Sequence, residues 1–273
     1  MKRRYASATF SMIVFLLVTP AHAGWPGDTA KCKADAVKAG SVCMDKYEAS
    51  VWEVPTVSPA GKSNAGLITK IQNGTIKLVD LVAGGATQVS PSFSCSPGFP
   101  GTFPANGQWT QSVYAVSIAG ARPTACVTWL QAQQACGNSR KRLPTNAEWQ
   151  LAVAGTPDPG PDNGTTDCNT NSANDAVNTG SRSSCTSNWG AFDMVGNVWE
   201  WVADWVPLSS ICGSWGSFSD DTQCLAGAAT GSGPGALARG GSFAGNTGAG
   251  PLAVHADIQP SYADEFLGFR CVR

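Results

Sequence analysis

The sequence predicts one loop-rich α+β domain that is cross-linked by disulfides. The chain has 273 residues, a length that suits one large domain or two small ones. It contains ten cysteines and 31 glycines, whereas only 14% of its residues are charged. Short segments with helix or strand patterns alternate with long polar stretches, so we expect cross-links to supply much of the stability.

Residues 1–23 have the pattern of an export signal. Three basic residues at positions 2–4 precede an apolar core at 13–19 and a small-x-small cleavage site that ends at Ala23. The core is too short for a membrane-spanning helix, which needs about 20 residues, and no later segment is apolar enough to cross a membrane. A retained N-terminal anchor is the alternative interpretation. We expect cleavage near Ala23 and export to the periplasm or the extracellular space.

Charge and histidine content exclude two classes of function. Without the leader, Lys+Arg falls from 18 to 15 against 19 Asp+Glu, which gives a net charge of −4. This balance argues against nucleic acid as a partner. Only one of the two histidines, His255, lies in the mature chain. A zinc site built from several histidines is therefore excluded.

The even number of cysteines in an exported chain predicts five disulfides. No two cysteines form a CxxC pair, so neither a thioredoxin-type site nor a zinc ribbon is indicated. Short separations favour the pairs Cys32–Cys43, Cys168–Cys185 and Cys212–Cys224. Spacing alone leaves open the partners of Cys95, Cys126, Cys136 and Cys271.

The N-terminal segment after the leader covers residues 24–41. A helix is predicted over 27–39, where Gly40 would end it. The alternation of the segment VCMDKYEASVWEV then predicts a strand over 42–54.

The main domain is expected to cover residues 42–273. Within it, residues 55–122 form a divergent, insertion-like region in which Gly, Pro and Ser clusters separate short β-prone runs. The run at 75–82 is one of them, and this pattern predicts an irregular insertion with hairpins.

Two helices are predicted after the insertion. Residues 124–137 combine a threonine cap, apolar residues three and four apart and a terminal glycine. Residues 142–155 contain a T-x-x-E capping box at Thr145 and Glu148, in which each side chain binds a free amide of the first turn. Gly155 supplies the stop.

The remaining chain combines long polar loops with strands. Residues 156–190 lack periodicity, and a loop of that length is usually functional or organised by an ion. In the next strand Trp199 and Trp201 stand at strand spacing on either side of Glu200. A second polar loop extends to residue 238, and the segments RGGSF and FLGFRCV predict the closing strands.

Four blocks then occur in a fixed order: KRLPTNAEWQLAVAG, GAFDMVGNVWEWVADW, RGGSF and GFRCVR. Together they resemble the formylglycine-generating enzyme family, also called the sulfatase-modifying-factor family. The likeness covers residues 42–273 and is dense from residue 142 onward. It implies a C-type-lectin-like α+β fold with little regular structure, stabilised by calcium. It also implies a disulfide between Cys136 and Cys271.

The resemblance further implies where calcium binds. Calcium takes roughly six to eight oxygens from carboxylates, amides and backbone carbonyls. From the residues alone, a turn at Asn197 and a surface position for Glu200 would explain the same pattern without a metal. The implied ligands are Asn197, Glu200 and the carbonyls of Val195, Gly196 and Val198, with Asn169 in the family's other calcium loop.

The resemblance also implies that two cysteines of the family's active site are missing from this chain. In the family's active enzymes, two cysteines after the GGS motif bind copper, and oxygen then converts a substrate cysteine thiol into an aldehyde. Here those positions are Gly245 and Gly250, whereas Ser242 keeps the family's serine. Glycine provides no thiolate to hold copper or to form a mixed disulfide. We therefore expect no copper and no formylglycine formation, although a flexible surface loop would also explain the glycines.

Three functional hypotheses follow. The first is a non-catalytic recognition module whose groove near Ser242 holds an extended peptide or a glycan, in an oligomeric state that the sequence does not indicate. The second is a metal-dependent oxidoreductase with changed chemistry. A true formylglycine generator would need Cys212 or Cys224 to enter the site as a free thiol. For the second hypothesis the available metal ligands are His255, Asp257, Tyr262, Asp264 and Glu265.

Overall fold

A computed structural model describes residues 31–92, 94–107, 112–207 and 234–273 of the chain. Short strands and helices alternate there with long irregular segments, which confirms the predicted α+β class. The strands are β1 (Ala36–Ala39), β2 (Val42–Asp45), β3 (Ser50–Glu53), β4 (Thr87–Val89), β5 (Val113–Val116), β6 (Trp199–Pro207), β7 (Pro234–Arg239), β8 (Val254–Ile258) and β9 (Leu267–Phe269). The helices are α1 (Ala65–Gln72), α2 (Leu78–Ala83), α3 (Trp129–Asn138) and α4 (Asn146–Ala152).

The four-stranded sheet positions the candidate site. Its strand order is β8-β7-β6-β9, in which β6 runs antiparallel to β7 and parallel to β9. Trp201 points from β6 into a core cluster with Phe269 of β9, and both are fully buried. Trp149 of α4 lies in a second cluster with Met194. Buried aromatic residues therefore pack around this sheet and fix its position.

The predicted helix over 27–39 is wrong where the structure describes it, because β1 pairs antiparallel with β2. Gly40 has a φ of +59°, in the left-handed region that favours glycine. A β-carbon at Gly40 would lie only 2.4 Å from the Leu151 side chain. The chain therefore turns back at Gly40 to form a hairpin.

The insertion-like region, residues 55–122, contains two helices where hairpins are predicted. Helix α2 covers most of the β-prone run at 75–82. The Asp80 carboxylate accepts the Lys77 amide at 3.1 Å and so caps the first turn of α2. Leu81 packs into the core. Capping and one buried contact therefore outweigh the β-branched composition of the run.

Helix α3 begins at Trp129, later than the predicted start at Thr124. Thr128 is the cap, and its hydroxyl accepts a backbone amide of the first turn. The Thr124 hydroxyl instead accepts the Val51 amide and donates to the Val89 carbonyl, both at 2.8 Å. Thr124 therefore joins β3 to β4 rather than starting the helix.

Helix α4 confirms the predicted capping box. The Glu148 amide donates to the Thr145 hydroxyl at 3.2 Å, and the Thr145 amide donates to the Glu148 carboxylate at 2.8 Å. Arg142 forms an ion pair with Glu148 at 2.6 Å. Gly155, with a φ of +82°, follows the helix as predicted.

The last residues of the chain pair with β2. Cys43 and Arg273 exchange two backbone hydrogen bonds of 3.0 Å each. The Lys141 ammonium group is buried between Asp35, at 2.8 Å, and Asp45, at 2.6 Å. The backbone pairing therefore joins the two ends of the domain, and the buried ion pairs join Lys141 to the segment before β1 and to β2.

Four disulfides lie in the described residues. Cys32–Cys43 and Cys168–Cys185 confirm the pairs predicted from spacing, and Cys136–Cys271 confirms the pair implied by the resemblance. The remaining described pair is Cys95–Cys126. The predicted pair Cys212–Cys224 lies outside the described residues.

No helix in the described part of the chain is long and apolar enough to span a bilayer.

Candidate functional site: a groove walled by glycine and aromatic residues

The candidate site begins where β7 ends. Gly240 and Gly241 have φ values of +91° and +88°, which favour glycine at both positions. A β-carbon at Gly240 would lie 2.8 Å from the Met194 carbonyl oxygen, and one at Gly241 would lie 2.3 Å from the Ala249 β-carbon. The chain therefore turns sharply at these two glycines and places Ser242 at the start of the following loop.

This loop carries Gly245 and Gly250, the two positions at which the resemblance implies cysteines in the active enzymes. The Gly245 amide donates to the Ser242 carbonyl at 2.9 Å, and the Gly250 amide donates to the Gly240 carbonyl at 3.1 Å. A β-carbon at Gly245 would lie 2.9 Å from the Ala249 side chain. Gly245 lines the groove, whereas Gly250 is buried. Neither position offers a sulfur. Ala249 occupies the space that the first atom of a side chain at position 245 would need.

The groove beside this loop is a cavity of about 540 Å³. One wall is the loop itself, which contributes Ser242, Gly245 and neighbouring small residues. The other walls come from β6, β8 and the segment that leads into β9. Their lining side chains are Trp199, His255, Ile258, Tyr262, Asp264, Phe266 and Leu267.

His255 and Asp257 lie two residues apart on β8, so their side chains share one face of that strand. The His255 Nε2 and Asp257 Oδ1 atoms form an ion pair when the imidazole is protonated. The His255 ring lies 5.5 Å from the Trp199 ring, centroid to centroid. Trp199 thus lines the groove and also packs against the core cluster that contains Trp201.

Asp264 organises the segment before β9. Its carboxylate accepts the Phe266 amide at 3.0 Å. A hydrogen bond from the Tyr262 hydroxyl to Asp264, followed by the Asp264 charge, raises the pKa of Tyr262. In the described residues, however, no three His, Cys, Asp or Glu side chains converge closely enough to hold a metal ion. The groove therefore has polar groups along its rim but no metal-binding cluster.

Glu200, predicted as a calcium ligand or a surface residue, is buried in an ion pair. Its Oε1 lies 2.6 Å from Arg270 Nη2, and its Oε2 accepts the Trp149 indole N–H at 2.7 Å. Arg270 Nε also lies within 2.8 Å of both oxygens. Both carboxylate oxygens are thus occupied, so the arrangement does not fit calcium at Glu200. The surface alternative is wrong, because Glu200 is 1% exposed.

Asn197 connects three segments through its side chain. Its Nδ2 donates to Glu48 at 2.5 Å, and its Oδ1 accepts the Val177 amide at 2.8 Å and Asn169 Nδ2 at 3.2 Å. The Asn197 carbonyl accepts the Phe243 amide at 2.9 Å. Asn197 therefore ties the loop after 169 to the groove loop. Three further predicted ligands are buried in the turn before β6: Val195, Gly196 and Val198.

Asn169 is the predicted ligand that best fits a cation. It is buried, and its Oδ1 has no hydrogen-bond partner among the described residues. Its Nδ2 donates to the Asp175 carbonyl at 3.2 Å and to Asn197. An amide oxygen that is buried without a donor is the kind of group that a hard cation satisfies.

Two acids beneath the site were not found from the sequence. Burial raises the pKa of Asp193 to about 7. Burial, followed by the charges of Asp193 and Glu200, raises the pKa of Glu48 well above its usual range. The charge of Arg270 opposes both acids, and that of Arg182 adds to its effect on Asp193. The available signal was the position of Asp193 and Arg270 inside two of the four family-like blocks.

The comparisons with known proteins agree with the resemblance. The sulfatase-modifying factor enzyme 1-like domain family matches residues 102–273 of the chain. No curated protein matches. Together with the described architecture, the family match confirms the predicted C-type-lectin-like α+β fold with little regular structure.

Several solved structures are similar to this chain. PvdO from Pseudomonas aeruginosa is 17% identical, with a TM-score of 0.40, over 85% of this chain and 80% of that one. Treponema denticola variable protein 1 is 21% identical, with a TM-score of 0.39, over 67% and 77%. The Major Tropism Determinant M1 variant is 17% identical, with a TM-score of 0.44, over 86% and 51%. This chain spans about half the length of the Major Tropism Determinant variants that it matches.

Proposed function

Because the chain belongs to the sulfatase-modifying factor enzyme 1-like domain family, we propose that it is a binding protein built on an enzyme scaffold. Its ligand is an extended peptide or a glycan, held in the groove beside Ser242. It does not convert cysteine thiols into aldehydes. The observation that carries this proposal is the presence of glycine at positions 245 and 250.

The chemistry of glycine supports the loss of the oxidase reaction. Copper in its reduced state needs soft sulfur ligands, and a mixed disulfide needs a nucleophilic thiolate. A hydroxyl at Ser242 replaces neither. Ala249 also fills the space next to Gly245, so a single reversion to cysteine would not restore the original pocket. We therefore propose that the chain binds no copper at this loop.

The walls of the groove support ligand binding. Trp199, Tyr262 and Phe266 supply aromatic surface, and Asp264 and His255 supply hydrogen-bonding groups at the rim. Sites for extended ligands commonly combine apolar walls with a few placed polar groups. Tyr262 is 47% exposed, so its ring is accessible to a ligand.

Two measurements test this proposal on the mature protein. Incubation with cuprous copper, oxygen and a cysteine-containing peptide should give no aldehyde product by mass spectrometry. Binding to peptide and glycan arrays should be detectable and should weaken in Tyr262→Ala. A matched control is Trp189→Ala, which removes another exposed aromatic ring outside the groove. Aldehyde formation, or array binding that Tyr262→Ala leaves unchanged, would contradict the proposal.

The oxidoreductase alternative has one observation in its favour. His255, Tyr262 and Asp264 line the same cavity as Ser242, as that hypothesis requires. A redox metal in the purified protein, together with oxygen uptake, would favour this function over simple binding.

We also propose that a structural calcium ion binds at the Asn169 loop and not at Glu200. The unpartnered Asn169 Oδ1 supports this position. Calcium should raise the melting temperature of the protein, and Asn169→Ala should abolish that rise. An unchanged melting temperature in calcium and in chelator would contradict the proposal.

Export is proposed from the leader and the disulfides together. Disulfides form and persist in oxidising compartments, and four are present in the described residues. N-terminal sequencing of the mature protein should begin near Gly24. An intact N-terminus at Met1 would contradict cleavage.

A further inference from the structure

Among the described residues, the carboxylates around the groove have no lysine or arginine partner. Asp264 lines the groove, Glu265 follows it, and Asp257 lies at the adjoining surface beside Tyr262. Among the described residues, no Lys or Arg lines the groove. No ion pair to Asp264 or Glu265 is formed within the described parts of the chain either.

His255 offsets only part of this negative charge. Its imidazole pairs with Asp257 when it is protonated, and that pairing leaves Asp264 and Glu265 uncompensated. Both acids act on Tyr262. The Asp264 hydrogen bond and, to a smaller extent, the Glu265 charge raise the pKa of Tyr262. An anionic ligand would therefore be repelled from this end of the groove.

Aromatic rings stand next to the acids. Trp199, Tyr262 and Phe266 all contribute to the lining. The face of an aromatic ring attracts a cation that approaches within about 6 Å, and the attraction grows when water is excluded. Aromatic rings and carboxylates in one groove whose described lining contains no lysine or arginine are complementary to an organic cation. A neutral ligand would pack against the aromatic rings but would gain no electrostatic attraction from the carboxylates.

We infer that this groove selects ligands that carry an alkylammonium group. The ammonium or trimethylammonium head would lie among the groove's aromatic rings and the Asp264 carboxylate. A lysine side chain and a choline headgroup share this chemistry. The inference rests on the proposed binding function and specifies the chemical class of its ligand.

The test uses two matched pairs of probes on the mature protein, measured by titration calorimetry. The first pair is choline and its uncharged carbon isostere, 3,3-dimethylbutan-1-ol. The second pair is the tripeptide acetyl-Gly-Lys-Gly-amide and the same peptide with an acetylated lysine. The charged member of at least one pair should bind about tenfold more tightly. Raising the salt from about 20 mM to about 300 mM should weaken that binding. The pair with the larger preference identifies the source of the alkylammonium group.

Variants locate the effect in the groove. Asp264→Asn should lower the affinity for the charged probe about fivefold and leave that for the uncharged probe unchanged. Glu53→Gln, on β3 of a different sheet, removes the same charge and should change neither. Tyr262→Ala should weaken binding of the charged probe, whereas Tyr262→Phe, which keeps the ring, should retain it.

Three outcomes would overturn the inference. Equal affinity for both members of each pair would show that the groove does not select for charge. An equal loss of affinity in Asp264→Asn and Glu53→Gln would show that any charge effect does not come from Asp264. Both outcomes would leave the proposed binding function intact. Failure of all four probes to bind would overturn the alkylammonium class, and the array measurement would still decide independently whether the groove binds a peptide or glycan.

Discussion

Arg270 and Glu200 form a fully buried ion pair across β6 and the end of β9, with Nη2 and Oε1 2.6 Å apart. The guanidinium also donates to the backbone carbonyls of Asp45, at 3.1 Å, and Phe192, at 2.8 Å. One side chain near the end of the chain thus links the four-stranded sheet to β2 and to the turn before β6.

Removing Arg270 should be more destabilising than removing the charge of Glu200. Arg270→Met removes the guanidinium that pairs with Glu200 and opposes the charges of Glu48 and Asp193, and breaking a buried pair typically costs about 3–5 kcal/mol. Glu200→Gln removes one of the acids and should cost less. Urea denaturation of both variants checks the order, and an equal loss of unfolding free energy would contradict it.

Stability should fall as the pH rises from 5 to 8. Burial raises the pKa of Asp193 to about 7 and that of Asp45 to about 6. Acids with raised pKa values hold their protons more tightly in the folded state, so their stabilising contribution is lost as the pH rises through 6–7. For Asp193 alone the loss should be about 3 kcal/mol.

The variant Asp193→Asn tests whether Asp193 causes this fall in stability with pH. Asparagine also tolerates the left-handed φ of +57° at this position and can accept the Gly180 amide. Denaturation midpoints between pH 5 and 8 should vary less in this variant than in the parent protein. An unchanged slope would assign the pH dependence to other groups. Below about pH 4 both proteins should lose stability, because the pKa values of Asp35 and Glu148 are lowered in the fold.

The glycine turn at the groove should not tolerate a methyl group. Gly241→Ala combines a left-handed φ with a contact of 2.3 Å to the Ala249 β-carbon. We expect a loss of roughly 3 kcal/mol or more, together with weaker ligand binding. Gly61→Ala is the matched control, since Gly61 has a φ of +72° and nothing within 4 Å of an added β-carbon. Gly61→Ala should lower the unfolding free energy by only about 1 kcal/mol. Equal losses in the two variants would show that backbone strain, and not the contact with Ala249, accounts for the effect.

The Cys136–Cys271 disulfide should contribute more than the shorter cross-links. It joins residues 135 apart, whereas Cys32–Cys43 joins residues 11 apart. The loop-closure entropy of the unfolded chain predicts contributions of about 5 and about 3 kcal/mol. Replacing each pair by alanines and comparing the unfolding free energies checks this, and a reversed order would contradict the entropic explanation.

Local signals made much of the fold predictable. The capping box of Thr145 and Glu148 needs only residues three apart, and it forms as predicted. The pairing of Cys168 with Cys185 follows from their short separation. The glycines at 245 and 250 could be located from the GGS motif before them. Each of these features depends on residues that are close in sequence.

The parts that could not be predicted depend on distant residues. Glu200 was expected to bind calcium or lie at the surface, because nothing near it in sequence reveals Arg270, 70 residues away. The helical pattern over 27–39 gave no sign that β2 would pair with Ala36–Ala39. Thr124 has the properties of a helix cap, yet its hydroxyl binds two strands.

The pairing of Cys43 with Arg273 has a consequence for biogenesis. Hydrogen bonds and ion pairs join segments as much as 238 residues apart, and such long-range contacts form slowly. During synthesis β1 and β2 are made long before residues 270–273. Until those residues are present, Asp35 lacks its ion pair with Arg273, and the Asp45 carbonyl lacks the Arg270 guanidinium.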